Sequence, residues 1–277
     1  MRAAKVSAAP PPAHGRTPLP LRVYRSVRVT VHMMTGLATT AFVFPWVAPP
    51  RRHAIIRGWC TRLLHILRVE ARIHGLPDDG LPGNLLIVAN HISWLDIFVL
   101  SSVQPSRFIA KAEVRRWPLI GRLASGAGTL FIDRERRHDT HKIAQHAAAA
   151  LSRGEVVAVF PEGTTSDGTT LLKFHGSLLQ PIVDTEGHVQ PVAIRYRKVT
   201  GEHSTAPSYA GDTTFMESFW RVTGERRLVV ELHLAPTLPA RARHRRELVK
   251  AAETAIRTAL ALPESGPAPE TPGGPRA

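Results

Sequence analysis

Leu85-Leu86-Ile87-Val88-Ala89-Asn90-His91-Ile92-Ser93-Trp94-Leu95-Asp96 is the stretch on which the reading of this chain turns. Its first five residues form an unbroken apolar run, the pattern of a strand covered on both faces. A polar cluster follows, and Trp94 to Val103 reads as a helix. A histidine just past a buried strand lies where ligands gather in α/β folds. Asp96 comes five residues later, and in a continuous helix that spacing turns about 140°, so the two side chains would miss each other. They meet if His91 sits in the loop and Asp96 in the first helical turn. The carboxylate would then hold one ring nitrogen and leave the other as a base. Ser93-x-x-Asp96 is also a capping-box pattern, which explains Asp96 by the helix start alone. The two readings are compatible, because a capped helix start would hold the carboxylate still.

Outward from this stretch, strand and helix patterns alternate. Phe108–Ala110, Thr129–Ile132, Val156–Phe160 and Val189–Tyr196 read as strands, with Leu228–Leu234 as an edge strand. Asp139–Ser152 and Arg241–Leu260 read as helices, and a further helix is expected from Ser177. Such interleaving predicts an α/β domain with a mixed, largely parallel sheet flanked by helices. Its expected limits are 76–262. Pro-rich tails, 1–21 and 263–277, are expected to be disordered.

Two more strands end in polar clusters. Gly128 to Arg134 closes on an arginine, whose guanidinium suits a phosphate or carboxylate through two parallel hydrogen bonds. A salt bridge to Asp133 or Glu135 is the plainer alternative. Phe160-Pro161-Glu162-Gly163-Thr164-Thr165 could cradle an anion on its N–H and hydroxyl groups, or could be an ordinary polar turn. Lys173 and His175 follow it.

The chain has 277 residues and a net charge of +14. Twelve Lys or Arg against a single acid, Glu70, lie in the first 75 residues, so the excess belongs to the N-terminal quarter. That asymmetry points to an anionic surface. Val29 to Pro50 has no charged side chain, but its threonines, His32 and Pro45 make it a poor spanning helix. From Arg51 to Arg72, Ile55, Ile56, Trp59, Cys60, Leu63, Leu64, Ile66 and Leu67 fall on one half of a helical wheel and the arginines on the other. Residues 22–75 are therefore expected to be a membrane-associated helical hairpin whose cationic amphipathic helix lies apolar face down on anionic lipid. The alternative is a surface helix packed on its own domain. Nucleic acid is the weaker partner class, because no recognition-helix or zinc-finger spacing occurs and aromatics are only 6%.

One cysteine, Cys60, excludes an intrachain disulfide and a Cys-based zinc cluster. There is no Gly-x-Ser-x-Gly elbow, no Walker loop and no dinucleotide fingerprint. His138, His141 and His146 read as a solvated helix face, and no metal is expected.

The three clusters in this order resemble the glycerolipid acyltransferases, the 1-acylglycerol-3-phosphate acyltransferases of bacterial type. Asn90-His91-x4-Asp96, Gly128 to Arg134, Phe160 to Thr164 and Val189 to Ile194 match the family's four motifs, and Phe108 to Gly121 resembles the segment between the first two. The resemblance implies transfer of a fatty acyl group from acyl-CoA or acyl-carrier protein to a glycerol hydroxyl, without an acyl-enzyme and without a cofactor. It implies His91 as general base and Asp96 as its partner. Arg134 would bind the acceptor phosphate, with Glu162, Gly163 and Thr164 shaping that pocket. Lys111 and Lys173 join the substrate-binding set, and Pro191 would flank the donor side. Lysophosphatidate is the expected acceptor, at the cytoplasmic face of the inner membrane. Two positions depart from the family: Thr165 and His175 stand where it often has Arg and Lys. A lyso-ornithine lipid is the nearest alternative acceptor.

Overall fold

Leu85–Ala89 is a strand with almost no exposed surface. Leu85, Ile87 and Ala89 join one apolar core and Leu86 and Val88 the other, as the two-residue repeat of a strand between two helical layers requires. Each such Leu, Ile or Val contributes about 1.5–3 kcal/mol relative to exposure. The computed structural model describes residues 16–117, 119–132 and 137–262, with backbone alone at 137–140.

In chain order the elements are α1 (Leu19–Ala38), α2 (Pro49–Leu67), β1 (Val69–His74), β2 (Leu85–Ala89), α3 (Leu95–Val103), β3 (Arg107–Lys111), α4 (Ile120–Gly126) and β4 (Leu130–Ile132). There follow α5 (Arg137–Ser152), β5 (Val156–Val159), α6 (Gln180–Asp184), β6 (His188–Lys198), α7 (Phe215–Gly224), β7 (Leu228–Leu234), β8 (Leu238–Pro239) and α8 (Arg245–Ala259). The sheet runs β1-β7-β6-β2-β5-β3-β4, with β8 beside β6. Pairs from β6 through β4 are parallel, β6 meets β7 antiparallel, and β1 runs parallel to β7. The α/β class with a mixed, largely parallel sheet is what the alternation predicted. One core lies under α2, α3 and α7, the other under α5, α6 and α8.

Several boundaries differ from expectation. β7 is internal, not an edge; the edge is β1, which the helical wheel had absorbed into α2. The helix stops at Leu67 because Arg68 takes a left-handed conformation, φ 59°, and its carbonyl accepts Leu228 N–H to begin the sheet. Arg72 therefore lies on a strand, paired with Glu70. Residues 16–21, expected in the tail, are ordered on the body: Thr17 N–H donates to Gly224 O and α1 begins at Leu19. The expected helix at Ser177 opens as a 3-10 turn, Gly176–Leu179, before α6. Residues 1–15 and 263–277 lie outside the described residues.

The larger correction concerns the helical pair. Cys60, Leu63, Leu64, Ile66 and Leu67 of α2 are buried, and the last four belong to the core beside α3. Much of the amphipathic face is thus spent on the chain's own domain, the alternative weighed for it. The exposed apolar surface is on α1 instead. Val23, Val27, Val31 and Met34 recur at helical spacing down one side, and Phe42 and Trp46 at its far end are 76% and 87% exposed. Helical turns continue from Leu19 to Trp46, 28 residues with a mean hydropathy of 1.3 in the most apolar window. The threonines in this segment bond back to carbonyls one turn earlier: Thr35 to His32, Thr39 to Thr35, Thr40 to Leu37. Their hydroxyls need no water, so the polarity that argued against burial in lipid is satisfied within the helix.

α1 is held to the body at several points along its length. Buried Arg25 donates to the carbonyls of Thr223, Glu225 and Arg226 at the C-terminal end of α7. His32 stacks on Trp59 at 4.5 Å, and each ring bonds the other residue's carbonyl. Gly36 lies so close to Trp59 and Leu123 that a Cβ would approach them within 2.9 Å.

Candidate active site

β2 and β5 are neighbours in parallel register, Val88 opposite Val159, so the clusters that follow them emerge side by side at the carboxyl end of the sheet. Asn90 controls how β2 ends. Its side-chain amide donates to Ile194 O at 3.0 Å and accepts from Ile194 N–H at 2.7 Å, so side-chain atoms extend the pairing with β6 beyond the last strand residue. The backbone is then free to turn and present His91.

His91 Nδ1 lies 2.9 Å from Asp96 Oδ2, with His91 in the loop and Asp96 in the first turn of α3. Asp96 is completely buried and its charge is met on every side. Oδ2 also accepts Ile92 N–H at 2.7 Å and Ser93 N–H at 2.9 Å, and Oδ1 accepts the Tyr196 hydroxyl at 2.7 Å. The helix start adds its own favourable field. The Ser93 hydroxyl accepts Leu95 N–H at 3.2 Å and not Asp96 N–H, so the expected Ser93–Asp96 capping box does not close, and the carboxylate instead holds the loop N–H groups beside His91. With Nδ1 as donor to Asp96, Nε2 is left with the lone pair, and the ring stacks on Phe160 at 3.9 Å.

Glu162 is not a pocket residue. It is buried, and its two oxygens accept His91 N–H at 2.6 Å and Leu172 N–H at 2.9 Å. It is a strut between the first and third clusters, not a group aimed at an arginine or a substrate hydroxyl. Burial pushes its carboxyl up to about 7, against the pull of the two N–H donors. A second strand of support runs from Ser166 N–H to His91 O at 2.8 Å.

The imidazole forms part of the wall of a cleft of about 570 Å³, which Lys111, Glu113, Gly163, Thr164, Thr165 and Tyr209 also line. Gly163 takes φ 74°, which lets the turn carry Thr164 and Thr165 to the cleft. Lys173 is exposed outside this lining, and Pro191 is buried within β6 opposite Val88. Neither residue reaches the cleft, so both leave the substrate-facing set. Arg134 and Pro118 lie outside the described residues. Two residues at the site carried no signal in the motifs: Tyr196, two residues past the last motif on β6, and Tyr209, on a loop. A buried tyrosine must find a hydroxyl partner, but nothing local says that the partner is 100 residues away.

A second, mainly apolar cavity of about 130 Å³ adjoins the cleft through shared walls at Ile97, Phe108, Ala110 and Val114. Phe44, Ile56, Trp59, Phe98 and Leu123 line its far end, between the α1–α2 pair and α3 and α4.

Comparison with known proteins agrees with this arrangement. The Acyltransferase family model matches residues 71–195. The lyso-ornithine lipid O-acyltransferase of Pseudomonas aeruginosa is 38% identical over 242 residues, 85% of this chain and 92% of that protein. The 1-acyl-sn-glycerol-3-phosphate acyltransferase of Neisseria gonorrhoeae is 41% identical over 158 residues, 57% of this chain and 62% of that one. The crystal structure of the 1-acyl-sn-glycerophosphate acyltransferase PlsC from Thermotoga maritima superposes with a TM-score of 0.67 at 23% identity, over 88% of this chain and 94% of that one, and shares the fold. With the histidine–aspartate pair and its cleft in place and a full-length relative at this identity, the chain belongs to the glycerolipid acyltransferase family.

Proposed function

We propose that this chain moves a fatty acyl group from a thioester, acyl-CoA or acyl-carrier protein, to the hydroxyl of a lysolipid in membrane lipid biosynthesis. The observation that carries the reading is the His91–Asp96 pair opening on a cleft that adjoins an apolar cavity. His91 Nε2 takes the proton of the acceptor hydroxyl while Asp96 stabilises the imidazolium. The alkoxide oxygen forms a bond to the thioester carbonyl carbon, the carbon–sulfur bond breaks, and the leaving thiolate takes the proton back. The acyl tail runs past Ile97 and Phe108 into the apolar cavity. Transfer is direct: Cys60 is buried on α2, and burial pushes its thiol up to about 12, where it is no nucleophile.

Lyso-ornithine lipid is the acceptor we place first. Its head group carries one carboxylate and one ammonium, and the described cleft offers one cation, Lys111, and one anion, Glu113. Of the two departures from the family pattern only Thr165 lines the cleft, and its hydroxyl donates to Tyr209 O. A neutral residue there suits a zwitterion better than a phosphate of charge about −2. Lysophosphatidate is the second reading. It rests on the motif from Gly128 to Arg134, whose arginine would bind the phosphate, and on the Neisseria relative.

The exposed stripe on α1, ending at Phe42 and Trp46, would hold the enzyme in one leaflet of the membrane at its cytoplasmic face, where a lysolipid need not leave the bilayer to react. The test is a panel of lysolipid acceptors with one labelled acyl-CoA, read by mass spectrometry, for the wild type and His91→Ala. Acylation of at least one acceptor, lost by more than about 100-fold in the variant, is expected. Wild-type turnover in His91→Ala, in a protein with an unchanged melt, would end the assignment.

A further inference from the structure

We infer that Tyr196 is a positioning residue of the acyltransferase site, acting on His91 through Asp96. The inference rests on the reading of His91 as general base. The two oxygens of Asp96 are used unequally: Oδ2 takes three donors, His91 Nδ1, Ile92 N–H and Ser93 N–H, whereas the Tyr196 hydroxyl is the one donor on Oδ1 among the described residues. Three donors hold Oδ2 in place, and the carboxylate has a second anchor only at Oδ1. The phenol on the other oxygen fixes the plane and so fixes the direction in which Oδ2 faces the imidazole.

The fold delivers Tyr196 with little freedom. Ile194, two residues earlier on the same face of β6, is tied to Asn90 by the double bond of its main chain to the side-chain amide. On the other side Ser204 N–H donates to Tyr196 O. The same residue that ends β2 thus sets the register that places the phenol against Asp96. Tyr196 is fully buried, and burial together with the neighbouring carboxylate pushes its hydroxyl well above the ordinary range, so it stays a donor.

Electrostatics follow from the same bond. A donor on Oδ1 disperses part of the carboxylate charge and weakens its hold on the imidazolium proton. Removing the donor concentrates the charge and holds that proton more firmly, to higher pH. Among the described residues, the titratable and charged groups facing the pair are Glu162 and Tyr196 inside, and Lys111, Glu113 and Tyr209 around the cleft. Burial pushes Glu162 up to about 7, so an activity profile in that range reports on Glu162. The readout must therefore isolate His91.

The experiment measures diethyl pyrocarbonate labelling of His91 against pH, resolved to its peptide by mass spectrometry, together with acyl transfer, in the full-length membrane-bound protein. In Tyr196→Phe the labelling midpoint is expected to rise by about half a pH unit. kcat is expected to fall about tenfold with the acceptor KM within about twofold. Replacement of Tyr196 by 3,5-difluorotyrosine keeps the shape and strengthens the donor, so the midpoint is expected to fall. A merely structural tyrosine would leave the midpoint in place or move it in the same direction in both proteins, and either result overturns the inference. The fluorinated protein also serves if the phenylalanine variant does not fold. Failure of the wild type to acylate any lysolipid would sink the enzymatic reading, while the labelling shifts would still report on the Tyr196–Asp96–His91 chain.

Discussion

Replacing Asp96 by asparagine and by alanine separates what this carboxylate does for the fold from what it does for the chemistry. Four donors converge on it in a fully buried position. Asn in place of Asp96 can put its carbonyl oxygen where Oδ2 stands, keeping His91, Ile92 and Ser93. Its amide then donates to the Tyr196 hydroxyl, which rotates to accept. All four contacts survive in reversed or neutral form, so Asp96→Asn should cost no more than about 1–2 kcal/mol of stability. The negative charge is gone, however, and the imidazolium formed in the reaction loses its partner. A loss in kcat on the order of 10²–10⁴ is expected, with the acceptor KM little changed. Asp96→Ala strands two main-chain N–H groups and a phenol without an acceptor, at about 1–3 kcal/mol each, for a total of roughly 3–9 kcal/mol. Urea unfolding of both variants, with thiol release from acyl-CoA on the same preparations, gives the comparison. Equal stability of the two variants would refute the account of Asp96 as an acceptor for the loop. Wild-type kcat in Asp96→Asn would refute its role towards His91.

Two further outcomes follow from single residues. Glu162 has a folded value of about 7 against an ordinary 4.5, so the folded chain holds a proton there that the unfolded chain releases. Its contribution to stability is full below 4.5 and is lost as pH rises to about 7, roughly 3 kcal/mol at most. Urea midpoints measured at intervals across that range should fall with pH less steeply in Glu162→Gln than in the wild type, and parallel curves would contradict the strut in its buried state. Phe42→Asp with Trp46→Asp places two charges on the exposed end of the α1 segment, which should move the protein from sedimenting with anionic vesicles to the supernatant by at least about tenfold, with the melt unchanged. Undiminished sedimentation would remove this end of the helix from the membrane contact.

How much was legible beforehand differs from element to element. β2 and β5 were readable because both faces of a central strand are apolar and neither needs a neighbour to be recognised. β7 was recognised as a strand but misplaced at the edge. Its burial pattern, buried at every position except Glu231 and His233, depends on β1 lying beside it, and β1 was hidden in a run that a helical wheel accepts. The wheel for α2 was correct as far as Leu67, yet it could not say which surface the apolar face would meet. α3 and the core covered it, and the exposed apolar stripe lies on α1, where it is diluted by threonines that bond back within the helix.

By itself the sequence determined the strand–loop–helix unit that brings His91 and Asp96 together, because a five-residue spacing across a loop and a helix start is a local matter. It also determined the order of the clusters at the strand ends, since parallel strands deliver their carboxyl ends to one side of the sheet. Only the tertiary structure decided which polar residues face the cleft. Glu162 turned inward to main-chain N–H groups, Lys173 and Pro191 fell away from the opening, and Tyr196 arrived from β6 to complete the coordination of Asp96. Burial and hydrogen bonding between residues some 70 to 100 positions apart fix those outcomes, and no window of sequence contains both partners.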